Sequence, residues 1–126
     1  MAALTTRGSS IDESAGTDAF VFTEGAIAAG STVIMLGWAQ GDGVVSFTPS
    51  GAGLTWTVDK LTQDASGESL FIGSAPAPSG VSNSQLVQYS TDASVDVRAM
   101  AVLSIDDSAM VAQASADRLY QVSSND

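Results

Sequence analysis

The stretch VDVRAMAVLSI, Val95–Ile105, decides the fold because apolar and other residues alternate along it. In an extended chain successive side chains point to opposite faces. One face of this stretch carries Val97, Ala99, Ala101, Leu103 and Ile105. Met100 and Val102 make the other face apolar as well, and a strand that is apolar on both faces is typical of the middle of a covered sheet.

Shorter alternating segments occur along the rest of the chain, separated by Gly, Ser, Pro, Asn or Asp. Their spacing of about ten residues is typical of a β-sandwich or barrel. We predict strands at Thr17–Thr23, Thr32–Ala39, Val44–Thr48, Leu54–Leu61, Ser69–Ser74, Gln85–Thr91 and Val95–Ile105, with weaker first and last strands near Ser10–Ser14 and Leu119–Ser123. The predicted fold class is all-β: a single jelly-roll or immunoglobulin-like antiparallel β-sandwich of about eight strands, with an extended N-terminal arm.

The connections between these segments carry turn residues. Gln40–Gly43 predicts a tight hairpin, and Asp64–Gly67 predicts a second one. Pro76–Gly80 predicts a longer loop that a central strand would exclude. Asp92–Ser94 predicts the turn into the strand Val95–Ile105. Residues 106–118 predict either a short helix or an irregular docked tail.

Charge excludes several classes of partner. The chain of 126 residues carries a net charge of −10, and its four basic residues, Arg7, Lys60, Arg98 and Arg118, are scattered along the sequence. Nucleic-acid binding requires clustered cations, and an anionic membrane repels such a protein for the same reason. The N-terminus has no signal-peptide layout. We therefore expect a soluble single-domain protein made in a cytoplasm, with no nucleic-acid or membrane partner.

The sequence offers little for catalysis. It contains no histidine and no cysteine, which removes the commonest general base and the commonest metal ligands. The adjacent acids Asp12 and Glu13, like Asp106 and Asp107, would point to opposite faces of a strand, so neither pair predicts an acid–base couple. We expect no enzyme activity, cofactor or metal site.

The aromatic residues leave two readings open, a core or a sugar-binding platform. Within GAGLTWTVDKL, Gly51–Leu61, the alternation predicts Leu54, Trp56 and Val58 on the inward face. We predict that the core contains Trp38, Trp56, Phe20, Phe22 and Phe71. Tyr89, Tyr120 and Phe47 are the aromatics that remain for the surface. An exposed tryptophan would instead favour a carbohydrate-binding or adhesive module.

Two runs resemble structural proteins of tailed bacteriophages and prophages. They are TVIMLGWAQGDGVVSFTPSGAGLTWTVDKL and ESLFIGSAPAPSGVSNSQLVQYSTDASVDVRAMAVLSID, and the similarity extends from Thr17 to Asp107. The resemblance implies a β-sandwich, no catalytic residues, and a place on the outer surface of a virion. It implies a capsid decoration (cement) protein, with a small tail or fibre-associated subunit as the alternative.

The resemblance also implies assembly with the major capsid protein lattice and with copies of the chain itself, with a trimer as one candidate. We predict residues 1–10 as an arm and residues 11–126 as the sandwich domain. The arm would add a strand to a neighbour's sheet edge. Its predicted partner-binding residues are Ala2, Ala3, Leu4, Thr5, Thr6, Arg7, Gly8, Ser9 and Ser10.

Overall fold

The computed structural model describes residues 4–41, 46–64 and 66–106. These residues form eight antiparallel strands and no helix, which confirms the all-β prediction. The strands are β1 Leu4–Asp12, β2 Gly16–Phe22, β3 Ser31–Gln40, β4 Phe47–Gly51, β5 Thr57–Gln63, β6 Glu68–Ala77, β7 Leu86–Val95 and β8 Val97–Ile105.

The strands form two sheets that pack as a sandwich. The larger sheet has the order β1-β8-β3-β6-β5, and the smaller has the order β2-β7-β4. β8 lies between β1 and β3, as the apolar pattern of Val95–Ile105 predicts for an interior strand. The inward faces of both sheets bury the hydrophobic core between them.

The strand pairs are nested. β1 pairs with β8, β2 with β7, and β3 with β6, as in a long hairpin rolled up on itself. This nesting is the pattern of a jelly roll. An immunoglobulin-type sandwich places its first two strands in the same sheet, whereas β1 and β2 lie in different sheets. Of the two predicted sandwich types, the strand order is that of the jelly roll.

Two of the predicted turns are wrong, because β3 and β4 lie in different sheets and so do β7 and β8. No hairpin therefore joins β3 to β4, and Asp42 and Gly43 of the hairpin predicted at Gln40–Gly43 lie outside the described residues. Asp92–Ser94 lies inside β7, which continues to the buried Val95 before the chain crosses at Asp96. The hairpin at Asp64–Gly67 is confirmed, since β5 and β6 pair on either side of it.

The prediction that a loop begins at Pro76 is also wrong. Pro76 lies within β6, opposite Thr32 of β3. β5 pairs with β6 only as far as Ser74, so β6 has a neighbour on one side alone at Pro76. A proline is tolerated there because it lacks the N–H that a second neighbour would use. The predicted elements in 107–118 and 119–123 lie outside the described residues.

Candidate interaction surface

The predicted binding residues are only partly described. Ala2 and Ala3 lie outside the described residues, whereas Leu4–Ser10 belong to β1. β1 is an edge strand paired with β8 of the same chain, with Leu4 opposite Ile105 and Ser10 opposite Met100. Leu4 is exposed and Gly8 is buried against Val21. Pairing of these residues with a neighbouring copy stays a prediction.

Arg7 joins β1 to the end of β2. Its Nε donates to the Ser104 hydroxyl at 2.9 Å, and its Nη1 donates to the Glu24 carbonyl oxygen at 3.3 Å. The backbone N–H of Glu24 in turn donates to the Arg7 carbonyl oxygen at 2.9 Å. These bonds close one end of the gap between the edge strands of the two sheets.

Arg98 closes the other end of the same gap. Its guanidinium is buried and donates to the Asp12 carboxylate at 2.8 Å, and to the carbonyl oxygens of Ser14 and Asp18. Hydrogen bonds from the hydroxyl and the N–H of Ser14, with a smaller contribution from Arg98, lower the pKa of Asp12. These partners engage all three guanidinium nitrogens of Arg98, so the contact holds the two sheets together.

A shallow groove runs along the surface beside this contact. It is lined by Ser10, Ile11, Asp12, Asp18, Ala19 and Phe20 and has a volume of about 230 Å³. Small-molecule sites usually enclose roughly 300–1,000 Å³. The groove is therefore smaller than a typical small-molecule site. Ile11, at its rim, is 74 % exposed.

Three large apolar side chains lie on the outer face of the smaller sheet, and we call them the aromatic strip: Phe20, Phe22 and Leu86. Phe20 is 53 % exposed and Phe22 is 56 % exposed. Their rings meet edge to face with centroids 6.1 Å apart, and Leu86 lies opposite Phe22 on β7. The prediction that both phenylalanines are core residues is wrong. Ala19 and Val21, the alternate residues of β2, point inward instead.

Two of the three aromatic residues that the sequence analysis predicts at the surface are buried. Tyr89 and Phe47 pack with Phe71 in the core, so the prediction is wrong for both. The Tyr89 hydroxyl lies 3.0 Å from the Trp38 carbonyl oxygen and 3.1 Å from that of Ala99. Burial raises the pKa of Tyr89, so the hydroxyl stays protonated and can donate. Tyr120 lies outside the described residues.

The tryptophans are half-buried, so neither is the centre of the core. Trp56 packs against the core from the loop before β5, and its Nε1 donates to the Gly51 carbonyl oxygen at 3.1 Å. Trp38 lies on the outward face of β3, since its neighbours Gly37 and Ala39 are buried on the other face. The prediction that Val58 points inward is wrong: Val58 lies near the start of β5, an edge strand of the larger sheet whose first four residues are all exposed.

Period-two alternation could not have revealed the aromatic strip. Phe20 and Phe22 share a face, as predicted, but Ala19 and Val21 make the opposite face apolar as well. Such a pattern says which residues lie together and not which side is covered. The bond between Arg98 and Asp12 gave no sequence signal, since the two residues are far apart in the chain.

No protein-family model, curated protein sequence or solved structure matches this chain. Within the described residues no group of three or more acidic side chains could hold a metal ion. No helix in the same part of the chain is long and apolar enough to cross a membrane. The sandwich and its outer surfaces are therefore the features that bear on function.

Proposed function

We propose that this protein is a non-enzymatic structural protein of a tailed-phage virion, a capsid decoration protein that binds and stabilises the outer shell. The resemblance over Thr17–Asp107 supports this role, and a jelly-roll sandwich suits it because its surfaces are built on rigid, paired strands. The protein is made in the host cytoplasm and acts on the outside of the particle. Its partners are the major capsid protein and copies of itself.

The observation that carries the proposal is the aromatic strip together with Ile11. These exposed apolar side chains lie on neighbouring strands at one side of the sandwich. Contiguous exposed apolar surface marks interaction sites in soluble proteins. On a symmetric lattice many weak contacts of this kind add up through avidity. The net charge of −10 opposes non-specific association before assembly.

The proposal is tested with particles of the phage or prophage that carries this chain, prepared with its gene deleted. We expect the full chain, added back, to co-sediment with the heads at a saturating ratio and to raise the temperature at which the shell breaks. Negative-stain images should place the added density on the head. Heads that bind no protein would contradict the proposal, and density on the tail would support a tail-associated subunit instead.

A cysteine pair tests whether β1 also pairs with a neighbour. Ser9 lies opposite Ala101 on β8, and the chain contains no cysteine of its own. Ser9→Cys with Ala101→Cys should form a disulfide within one chain in solution. If β1 is exchanged on the particle, oxidation there should give linked dimers or longer chains in a non-reducing gel. Ser9→Cys alone is the control, and exclusively monomeric bands from particles would refute the exchange.

A carbohydrate-binding or adhesive module is the alternative that the exposed phenylalanines favour. Sugar rings stack on the faces of aromatic rings, whereas the planes of Phe20 and Phe22 lie at 80° to one another. A flat platform is therefore not formed by this pair. A glycan array probed with the full chain would support the alternative if binding were lost in Phe20→Ser.

A further inference from the structure

We infer that two copies of this chain bind each other through the outer face of the larger sheet, packed face to face about a two-fold axis. The contact is centred on two neighbouring rows of side chains. The ridge is Ile34, Leu36 and Trp38 of β3, and the trough beside it is Ala99 and Ala101 of β8. The inference deepens the proposed function and rests on the part of it that names copies of the chain as partners.

The positions of the core residues show that the ridge and the trough point outward. Val33, Met35 and Ala39 are the core residues that alternate with the ridge, and Met100 and Val102 are those of β8. The ridge and trough residues between them are partly exposed. The smaller sheet packs on the inward side, so no strand in the described part of the chain covers them.

The face remains apolar on either side of these two rows. Leu70 of β6 lies opposite Trp38, and Leu103 of β8 lies opposite Ile34. Leu4 extends the face to the edge at β1 and is exposed. The outer surface of the larger sheet is thus one contiguous apolar area, and such areas mark interaction sites in soluble proteins.

The size of this area matches that of a stable interface. The sheet has five strands, and β8 is nine residues long. At about 4.8 Å between strands and 3.3 Å per residue, the face measures roughly 24 Å by 30 Å, or about 700 Å². A stable complex buries about 800 Å² on each partner. A partner with an equally large flat face is needed to cover it, and a second copy has one.

The distribution of charge allows two copies to meet at this face. The net charge of −10 makes copies repel one another in general. On the outward positions of β3, β6 and β8 the one charged residue is Glu68, at the end of the sheet opposite Gln40, while Lys60 lies on the edge strand β5. Two faces in contact therefore bring no carboxylates together at their centre. On the smaller sheet, by contrast, the exposed Asp18 lies beside the aromatic strip.

The ridge and the trough make the face complementary to itself. Leu36 lies opposite Ala101, and Trp38 lies opposite Ala99, so each large side chain has a small one beside it. Packed sheets lie about 10 Å apart with interdigitated side chains. A two-fold axis along the strands, midway between β3 and β8, places the ridge of each copy over the trough of the other. Such a contact is closed at two chains.

Sedimentation of the full chain over a range of concentrations tests the dimer. We expect a monomer–dimer equilibrium that tightens as salt screens the repulsion between the copies. Leu36→Glu with Leu103→Glu should raise the dimer Kd at least about a hundredfold, because like charges then meet in a desolvated contact. Phe20→Glu with Leu86→Glu is the matched control, since it adds the same two charges to the outer face of the smaller sheet. It should leave the Kd within about threefold.

Trp38 reports on the face without any change to the face itself, so this readout stands even if the glutamate variants fail to fold. The chain contains two tryptophans, and Trp56→Phe leaves Trp38 as the only one. Its emission should be blue-shifted and shielded from acrylamide in the dimer. On dilution below the Kd the emission should move to the red, and quenching by acrylamide should increase.

Three results would overturn the inference. A chain that is monomeric at every concentration, with red-shifted Trp38 emission, leaves the face uncovered. A monomer whose Trp38 emission is blue-shifted at every concentration would show that the same chain covers the face. A dimer that Phe20→Glu with Leu86→Glu dissociates, and that Leu36→Glu with Leu103→Glu does not, would place the contact on the smaller sheet.

The failure of this inference and the failure of the proposed function are distinguishable. If the chain dimerises through the ridge and the trough while gene-deleted heads bind no protein, the dimer stands and the decoration role is wrong. If the chain is monomeric in solution and the heads bind it, the decoration role stands and the dimer is wrong.

Discussion

The protein contains two groups of aromatic side chains that look alike in sequence and lie in opposite environments. Phe47, Phe71 and Tyr89 form the core cluster, with ring centroids 4.6–5.3 Å apart. Phe20 and Phe22 also come from an alternating strand, yet both are more than half exposed. The ring itself therefore does not decide which group is buried.

The residues opposite the rings account for the difference. Gly37 lies opposite Phe71, and a Cβ added to it would come within 2.0 Å of the Phe71 ring. The Phe71 ring fills the space that a side chain at Gly37 would otherwise occupy. In β2 the inward positions are occupied by Ala19 and Val21, which already complete the packing. Phe71 is buried because the neighbouring strand supplies a residue without a side chain at the position opposite it.

The largest expected effect comes from truncating one ring in each group. Phe71→Ala should lower the free energy of unfolding by about 3–5 kcal/mol, because it leaves a cavity in the packed core. Phe20→Ala should lower it by no more than about 0.5 kcal/mol, since the ring is half in water already. Urea unfolding followed by circular dichroism measures both. Equal losses in the free energy of unfolding for Phe71→Ala and Phe20→Ala would contradict the contrast between the buried and the exposed rings.

Filling the space beside Phe71 should have the next largest effect. Gly37→Ala places a methyl group against the ring and should cost about 1–3 kcal/mol through overpacking. The double variant Gly37→Ala with Phe71→Leu should lose less than the sum of the two single losses, because the smaller side chain makes room for the methyl group. Strict additivity in a double-mutant cycle would show that the two positions do not share this space.

The hydroxyl of Tyr89 sharpens the comparison, since the exposed phenylalanines have no such group. Tyr89→Phe should cost about 0.5–1.5 kcal/mol through the lost hydrogen bond to the Trp38 or Ala99 carbonyl oxygen. Because the pKa of Tyr89 is raised in the folded state, its contribution is full below about pH 10 and declines as the pH rises above it. Above about pH 10 the stability of Tyr89→Phe should fall less steeply than that of the unchanged chain. An identical decline in the two proteins would argue against a contribution from the raised pKa of Tyr89.

The smallest expected effect concerns Asp12, which lines the same groove as Phe20. Its pKa is lowered in the folded state, so it stabilises the fold above its unfolded pKa of about 3.9 and loses this effect as the pH falls further. Asp12→Asn should therefore flatten part of the acid limb of a plot of melting temperature against pH. Glu13→Gln is the neighbouring control, and the same flattening in that variant would contradict a specific role for Asp12.

Alternation was enough to predict an all-β sandwich and the positions of most strands. It could not assign strands to sheets, because the glycine and aspartate residues that predict a hairpin at Gln40–Gly43 are equally common in connections between two sheets. β1 was mostly missed because its polar stretch, LTTRGSSID, buries Gly8 and exposes Leu4 and Ile11. β1 is instead held by main-chain pairing and two arginines, which leave no apolar pattern. The exposure of the aromatic strip was not predicted, because the burial of a ring depends on which residues face it from the neighbouring strands.

The nested strand order also separates paired strands widely along the chain. β1 is synthesised before its partner β8, and Leu4 of β1 finally lies opposite Ile105 of β8. Proteins dominated by such distant pairings fold slowly, on millisecond to second timescales. During that interval β1 has no partner strand in its own chain. At high local concentration the β8 strand of a second nascent or partly folded copy could take β1 first, so strand exchange would be favoured during synthesis and suppressed once the fold has closed.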